Sequence, residues 1–331
     1  MIWPILLLLQ LCIAHPFHEE RCTPPTIRQL CQFPNVTWVE NIAVRSNGQL
    51  LVTLFTSPDL YQIDPFQRNC TPTLVAQFPD ALGILGIAEI EEDVFAITKG
   101  NFSRFTGLVA PSSASVWKAD FQNQDIAVVS KIADLPDAVI LNGATTVKKG
   151  SNFLLLADSI AGVVWRVNLE TSEYDSVLND TAVQPVHPLA EGGWGVNGVH
   201  TRDGFLYFTN TDLAFMCVPI HDDGTQGDVK VLANFMAGDD FTFDERGDAY
   251  VARGRDDVIS KVTPAGKVIS LDYENADVLV LLEGNTAVTF GRTKSDRTTL
   301  CVTTNGGYSG LVNGTAIQGG RVLAIDLGGR S

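Results

Sequence analysis

Apolar residues in this chain come in short runs that alternate with polar positions, and Gly, Asp and Asn interrupt them at close intervals. No helical periodicity builds up, so the pattern predicts strands throughout. One unit recurs: a turn, four strand-forming residues, a polar break, then a second strand ending near Asp or Asn. Its first strands are Leu51-Val-Thr-Leu54, Val94-Phe-Ala-Ile97, Leu154-Leu-Leu-Ala157, Leu206-Tyr-Phe-Thr209, Ala249-Tyr-Val-Ala252 and Leu300-Cys-Val-Thr303. These lie 43, 60, 52, 43 and 51 residues apart, the size of a four-stranded blade with variable loops. The fold class read from this is all-β: a six-bladed β-propeller. A two-sheet β-sandwich is the competing architecture, and six matched units in one chain argue against it.

A third segment precedes each pair: Glu40-Asn-Ile-Ala-Val44, Leu85-Gly-Ile-Ala-Glu89, Leu141-Asn-Gly-Ala-Thr145, Val196-Asn-Gly-Val-His200, Asp239-Asp-Phe-Thr-Phe243 and Gly284-Asn-Thr-Ala-Val288. Aligned this way, the position two residues after the second member is always small: Ala43, Ala88, Ala144, Val199, Thr242 and Ala287. Innermost propeller strands converge near the axis, so small residues are expected there. The sixth unit lacks an outer strand after Asp326. Ile27-Arg-Gln-Leu-Cys-Gln-Phe33 resembles the outer strands Leu74-Val-Ala-Gln-Phe78 and Val231-Leu-Ala-Asn-Phe235, and is expected to close the ring.

Composition adds a compartment. Met1 to Ala14 carries an apolar run followed by a small residue, which reads as a signal peptide (1–14) and leaves 15–331 as one propeller domain. Five N-glycosylation sequons, at Asn35, Asn69, Asn101, Asn179 and Asn313, point to a secreted or secretory-lumen protein carrying N-linked glycans. Cys22, Cys31, Cys70, Cys217 and Cys301 remain after the signal. Cys217 and Cys301 sit in apolar strand patterns as buried thiols, and any disulfide would join two of the other three. No later segment has the apolar length of a membrane span. A net charge of −15 without a basic cluster excludes nucleic acid and anionic membrane surfaces as partners.

The chemistry concentrates where the innermost strands begin. Asn41, Gly86, Asn142, Asn197, Asp240 and Asn285 open them, and Glu40 and Asp239 stand just ahead of two. Carboxylate and carboxamide oxygens from several blades suit a hard cation such as Ca2+; the plain alternative is backbone capping at strand starts. With Glu40-Asn-Ile-Ala-Val44, Leu141-Asn-Gly143, Val196-Asn-Gly-Val199 and Gly238-Asp-Asp-Phe-Thr-Phe-Asp-Glu-Arg-Gly247, the chain resembles the SMP-30/gluconolactonase/paraoxonase-like propellers over essentially its whole mature length. That resemblance implies a Ca2+ site at the tunnel mouth. Carried over by position, the ligands are Glu40, Asn142, Asn197 and Asp239, with Asn41 or Asp240 assisting.

Three long segments, Thr98–Ser115, Leu178–Gly195 and Thr304–Gly320, are expected to wall a pocket above this ring, carrying Phe102, Phe105, His187, Trp194 and Tyr308. That aromatic rim suggests an apolar organic ligand. His200, on an innermost strand, is expected either to reach the pocket or to be a buried structural residue. No Gly-x-Ser-x-Gly elbow, phosphate-binding loop or His-Glu-x-x-His helix occurs. The opening Glu40-Asn-Ile-Ala-Val-Arg45 and the third-blade Leu156-Ala-Asp-Ser159 are similar to the secreted fungal hetero-Diels–Alderases of tropolone–sesquiterpenoid pathways. This implies an enzyme, a pericyclic cyclase joining a tropolone quinone methide to a humulene-type alkene with no required cofactor. Asn142, Asn197 and His200 would make polar contacts, with Glu40 and Asp239 beside them; Trp194, Phe105, Tyr308 and His187 would contact substrate, as would Asn41, Asp240 and Asn285. The alternatives are a Ca2+-dependent lactonase or esterase and a non-catalytic ligand-binding propeller.

Overall fold

A computed structural model describes residues 25–327, apart from 69, 104–107, 123–125, 235, 272–279, 309 and 313. The signal segment, Cys22, Asn69, Phe105, Phe235 and Asn313 therefore lie outside the described residues. Six four-stranded antiparallel sheets form a six-bladed propeller. Blade 1 is built from Val39–Val44, Leu50–Leu54, Asp59–Ile63 and Thr73–Gln77, ordered from the axis outward. Blades 2 to 5 repeat this plan from Gly83–Glu91, Leu141–Thr146, Val196–Arg202 and Phe241–Phe243. Blade 6 starts at Asn285–Phe290 and takes its outer strand from the N-terminal Thr26–Gln32, which pairs antiparallel with Arg321–Asp326. The ring is thus closed as the sequence predicts. Among the described residues no helix is long and apolar enough to cross a membrane.

The near-continuous apolar runs of the inner strands, such as Leu50–Leu54 and Val94–Gly100, place apolar side chains on both sheet faces, and these meet between blades. Six apolar clusters each join one blade to the next. Leu30, Cys31 and Phe33 of the closing segment pack with Val39, Ile42 and Val52 of blade 1. Cys31, Cys217 and Cys301 are buried free thiols, and Cys70 is a half-buried one. Near the axis, hydroxyls bridge five of the six joints. Thr53 donates to the Leu85 carbonyl at 2.6 Å, Thr98 to Leu141 at 2.8 Å, Ser159 to Val196 at 2.7 Å, Thr209 to Asp239 at 2.6 Å, and Thr286 to Val39 at 2.8 Å.

One expectation needs correction. A β-bulge interrupts the innermost pairing in blades 1, 2, 3, 4 and 6. By pairing register, Glu40, Leu85, Asn142, Asn197, Asp239 and Thr286 are equivalent, and Asn285 falls one place earlier, level with Val39. The side chains that line the tunnel are Ala43, Ala88, Thr145, His200, Thr242 and Thr289. Smallness there holds except at His200. The ungapped sequence alignment was misled because an extra bulged residue carries no composition signal of its own.

Candidate active site at the tunnel mouth

The bulge builds the site. An extra residue in the innermost strand turns its side chain out of the normal alternation and toward the axis. Three such residues, Glu40, Asn142 and Asn197, and their blade 5 counterpart Asp239 line a cavity of about 190 Å3 at the tunnel mouth. Leu85 instead joins an apolar cluster, and Thr286 is committed to the Val39 carbonyl. The polar floor is therefore contributed by blades 1, 3, 4 and 5. Glycine follows Asn142 and Asn197 because the next blade comes too close for a side chain: a Cβ at Gly143 would lie 2.3 Å from the Asn197 carbonyl oxygen. The same holds at Gly198, where a Cβ would sit 2.4 Å from an Asp240 oxygen.

Asn41, Asp240 and His200 form a separate network rather than cavity walls. Asn41 Nδ2 donates to Asp240 Oδ2 at 2.8 Å, from blade 1 to blade 5. Asp240 Oδ1 accepts the Phe241 backbone N–H at 2.7 Å and lies 2.9 Å from His200 Nε2. The His200 ring packs edge-on against Phe241 and faces the opposite tunnel cavity. Asn285 is fully enclosed: its oxygen accepts the Arg253 N–H at 2.6 Å and its amide donates to the Leu282 carbonyl. His187 is exposed and does not line the cavity. The expected pocket roles of His200, Asn285 and His187 are thus not those the structure gives them.

Above the floor stands an aromatic wall. Trp38 stacks on Phe55 with ring centres 5.0 Å apart and on Tyr308 at 5.5 Å, and Phe55 meets Phe102 at 4.9 Å. These rings belong to a seventh apolar cluster, with Trp194 packed against it. Arg255 also lines the cavity. Its guanidinium bonds Asp212 at 2.8 Å and the Gly192 carbonyl at 3.1 Å, while the other Asp212 oxygen accepts the Trp194 N–H. This fixes the Leu178–Gly195 segment over the cavity. Trp38, Phe55, Thr211 and Arg255 line the site and were missed by sequence reading. Trp38 had a legible signal, since it shares the alternation of Glu40 two residues on. Arg255, in the charged turn Arg253-Gly-Arg-Asp-Asp257, had none.

The third-blade motif resolves into structure. Asp158, fully buried, accepts N–H bonds from Val139, Ile140, Ile160 and Ala161 and from the Trp165 indole. It holds the entry to blade 3 and touches no part of the cavity.

Electrostatically the floor is under tension. Burial pushes the Glu40 carboxyl up to about 8; the Trp38 side chain opposes this and the Asp240 charge adds to it. Burial and then the Glu40 and Asp240 charges raise Asp239 well above the carboxylate range, with Asn197 and Arg255 opposing. Glu40 Oε2 and Asn197 Oδ1 are buried and have no hydrogen-bond partner. Buried polar atoms are rarely left so, and two in one cavity make it a candidate ligand site. Among the described residues no group of three or more His, Cys, Asp or Glu is gathered for a metal. Any cation held here would depend on the carboxamide oxygens as well as the acids.

No family model matches the chain. A protein of Phoma sp., named as a candidate hetero-Diels–Alderase, is 28% identical over 88% of this chain and 90% of its own length. A second so named, asR5 of Sarocladium schorii, is 24% identical over 85% of this chain and 78% of its own. Both sequence relatives are named as candidate hetero-Diels–Alderases. The solved structures share the fold at lower identity. The calcium-binding regucalcin of Agrobacterium tumefaciens has a TM-score of 0.64 at 16% identity, covering 91% of this chain and 94% of its own. A luciferin-regenerating enzyme gives 0.61 at 12%, covering 91% and 95%. The chain thus resembles proteins named as candidate hetero-Diels–Alderases in sequence and shares its fold with regucalcin.

Proposed function

We propose that the chain is an enzyme of the hetero-Diels–Alderase type, uniting an electron-poor oxygenated diene, such as a tropolone quinone methide, with a humulene-type alkene. The observation that carries this reading is the cavity's division into an aromatic wall and a polar floor, with the Trp38 side chain interacting with Glu40. The sequence relatives support it. In the cycloaddition one C–C and one C–O bond form while three π bonds become one, with no leaving group, so the step needs no nucleophile. It needs two partners held in near-attack geometry, which the Trp38–Phe55 wall offers to the apolar alkene. It gains from a donor on the diene oxygen, which Trp38 Nε1 and the protonated Glu40 carboxyl supply. Glu40 would also protonate the leaving hydroxyl of a hydroxymethyl precursor; water departs, and the ring hydroxyl returns its proton to Glu40.

A second reading is favoured by the two buried acceptors without partners. Glu40, Asn142, Asn197 and Asp239 present the all-oxygen donor set that Ca2+ takes. A cation held there would supply Lewis-acid polarisation of a carbonyl and an activated water, the chemistry of a lactonase or esterase. Incubation of the purified protein with a hydroxymethyl tropolone and humulene, with and without EDTA, separates the two. The cyclase reading expects a product distribution distinct from the uncatalysed control, tolerance of EDTA, and a roughly tenfold to hundredfold loss in Trp38→Ala. Products identical to the control would overturn it, and lactone hydrolysis that requires Ca2+ would establish the second.

We extend the proposal to the secretory pathway. Asn35 and Asn179 are exposed and Asn101 is half-buried, so the first two offer open acceptors. Enzymatic deglycosylation of protein from a fungal host should lower its apparent mass; an unchanged mass would count against this.

A further inference from the structure

Among the described residues that line the mouth cavity, Arg255 is the single cation, facing a floor with two carboxyl groups. Its side chain is 43% exposed, while its ion-pair partner Asp212 is 6% exposed. A guanidinium carries five N–H donors. Asp212 and the Gly192 carbonyl are the recorded acceptors for Arg255, one on each terminal nitrogen. Both oxygens of Asp212 are engaged, since the second takes the Trp194 backbone N–H. The fork is therefore pre-oriented by a buried carboxylate and retains donors beside the cavity. Pre-orientation of this kind lowers the entropic cost of gripping an anion.

We propose that Arg255 is the anchor for an ionised oxygen of the ligand, so that the pocket selects organic acids with a flat or apolar body. The distribution of charge then sets one orientation. The acidic floor and the aromatic wall offer an anion no counter-charge, and Arg255 supplies it. The acidic oxygen lies at Arg255 while the remainder of the molecule spans toward Trp38 and Phe55. This deepens the cyclase reading, on which it rests for the nature of the ring: an acidic enolone is such a ligand. It also explains how a protein of net charge −15 could accept an anion.

The rival role for Arg255 is a latch that merely holds the segment carrying Gly192. Tryptophan-fluorescence or calorimetric titration distinguishes the two, using tropolone in its ionised form and its neutral methyl ether as probes. EDTA is present throughout, so that no metal supplies the anion site. The native protein should prefer the anion. Arg255→Gln should lose roughly tenfold to hundredfold in tropolone affinity while binding the ether unchanged. Arg255→Lys should retain part of the preference, and Asp212→Asn, which loosens the latch but keeps the cation, should retain it. Equal weakening of both probes in Arg255→Gln, the same effect in Asp212→Asn, or no preference in the native protein would overturn the proposal. Selective binding without any cycloaddition would instead count against the cyclase reading and leave the Arg255 anchor standing.

Discussion

At the scale of single residues, the site is defined by polar atoms that the fold leaves without partners. Asn142, Asn197, Glu40 and Asp239 were legible as candidates because amides and acids recur at strand starts. Their division from Asn41, Asp240 and His200 was not, because neighbouring residues on a bulge look alike in sequence and face different directions in space. Elsewhere a charged residue is simply well used. Asp93, in the left-handed region at φ 57°, accepts the Ser46 N–H at 2.8 Å and the Ser46 hydroxyl at 2.7 Å, and pairs with Arg45. Burial opposes its ionisation, but these contacts outweigh burial and hold it below the usual carboxylate range. A depressed folded-state pKa stabilises the fold above the unfolded value and loses that contribution as pH falls through the folded one. Asp93→Asn keeps a side chain that tolerates positive φ and removes the charge. We expect it to cost about 1 kcal/mol near neutral pH in urea unfolding, with the gap closing as pH drops below the ordinary carboxylate range. A pH-independent difference would assign the effect to packing instead.

At the scale of elements, the bulged innermost strand is the working part. Sequence periodicity located these strands, and the recurrence of Asn-Gly in blades 3 and 4 hinted at a special backbone. The physical reason is the approach of adjacent blades: Gly143 lies against the Asn197 carbonyl and Gly198 against Asp240. Gly143→Ala should therefore displace Asn142 and Asn197 together. Backbone is the obstacle, so relief requires moving a strand, and a loss of roughly 1–3 kcal/mol in stability is expected with a larger proportional loss of ligand binding. Wild-type stability together with wild-type ligand affinity in that variant would show that the innermost strands can separate freely.

At the scale of the whole molecule, closure joins the two ends of the described chain. Leu30 and Cys31 bury against blade 1 and Thr26–Gln32 covers the edge of Arg321–Asp326. A protein beginning at residue 34 would expose that edge and part of an interblade core. Open edges pair with other chains, so size-exclusion chromatography should show self-association and an earlier thermal transition. A monomer of unchanged stability would mean that closure is dispensable.

The sequence by itself determined the blade count and the strand that closes the ring, and it pointed to the candidate site, because each follows from local alternation and from repetition of one unit. Only the tertiary structure decided which oxygens share a cavity, since a one-residue bulge reorients side chains without altering composition. It also decided that Trp38 and Arg255 line the same cavity. These two come from blades 1 and 5, and no local pattern records a distance set by the curvature of a closed ring.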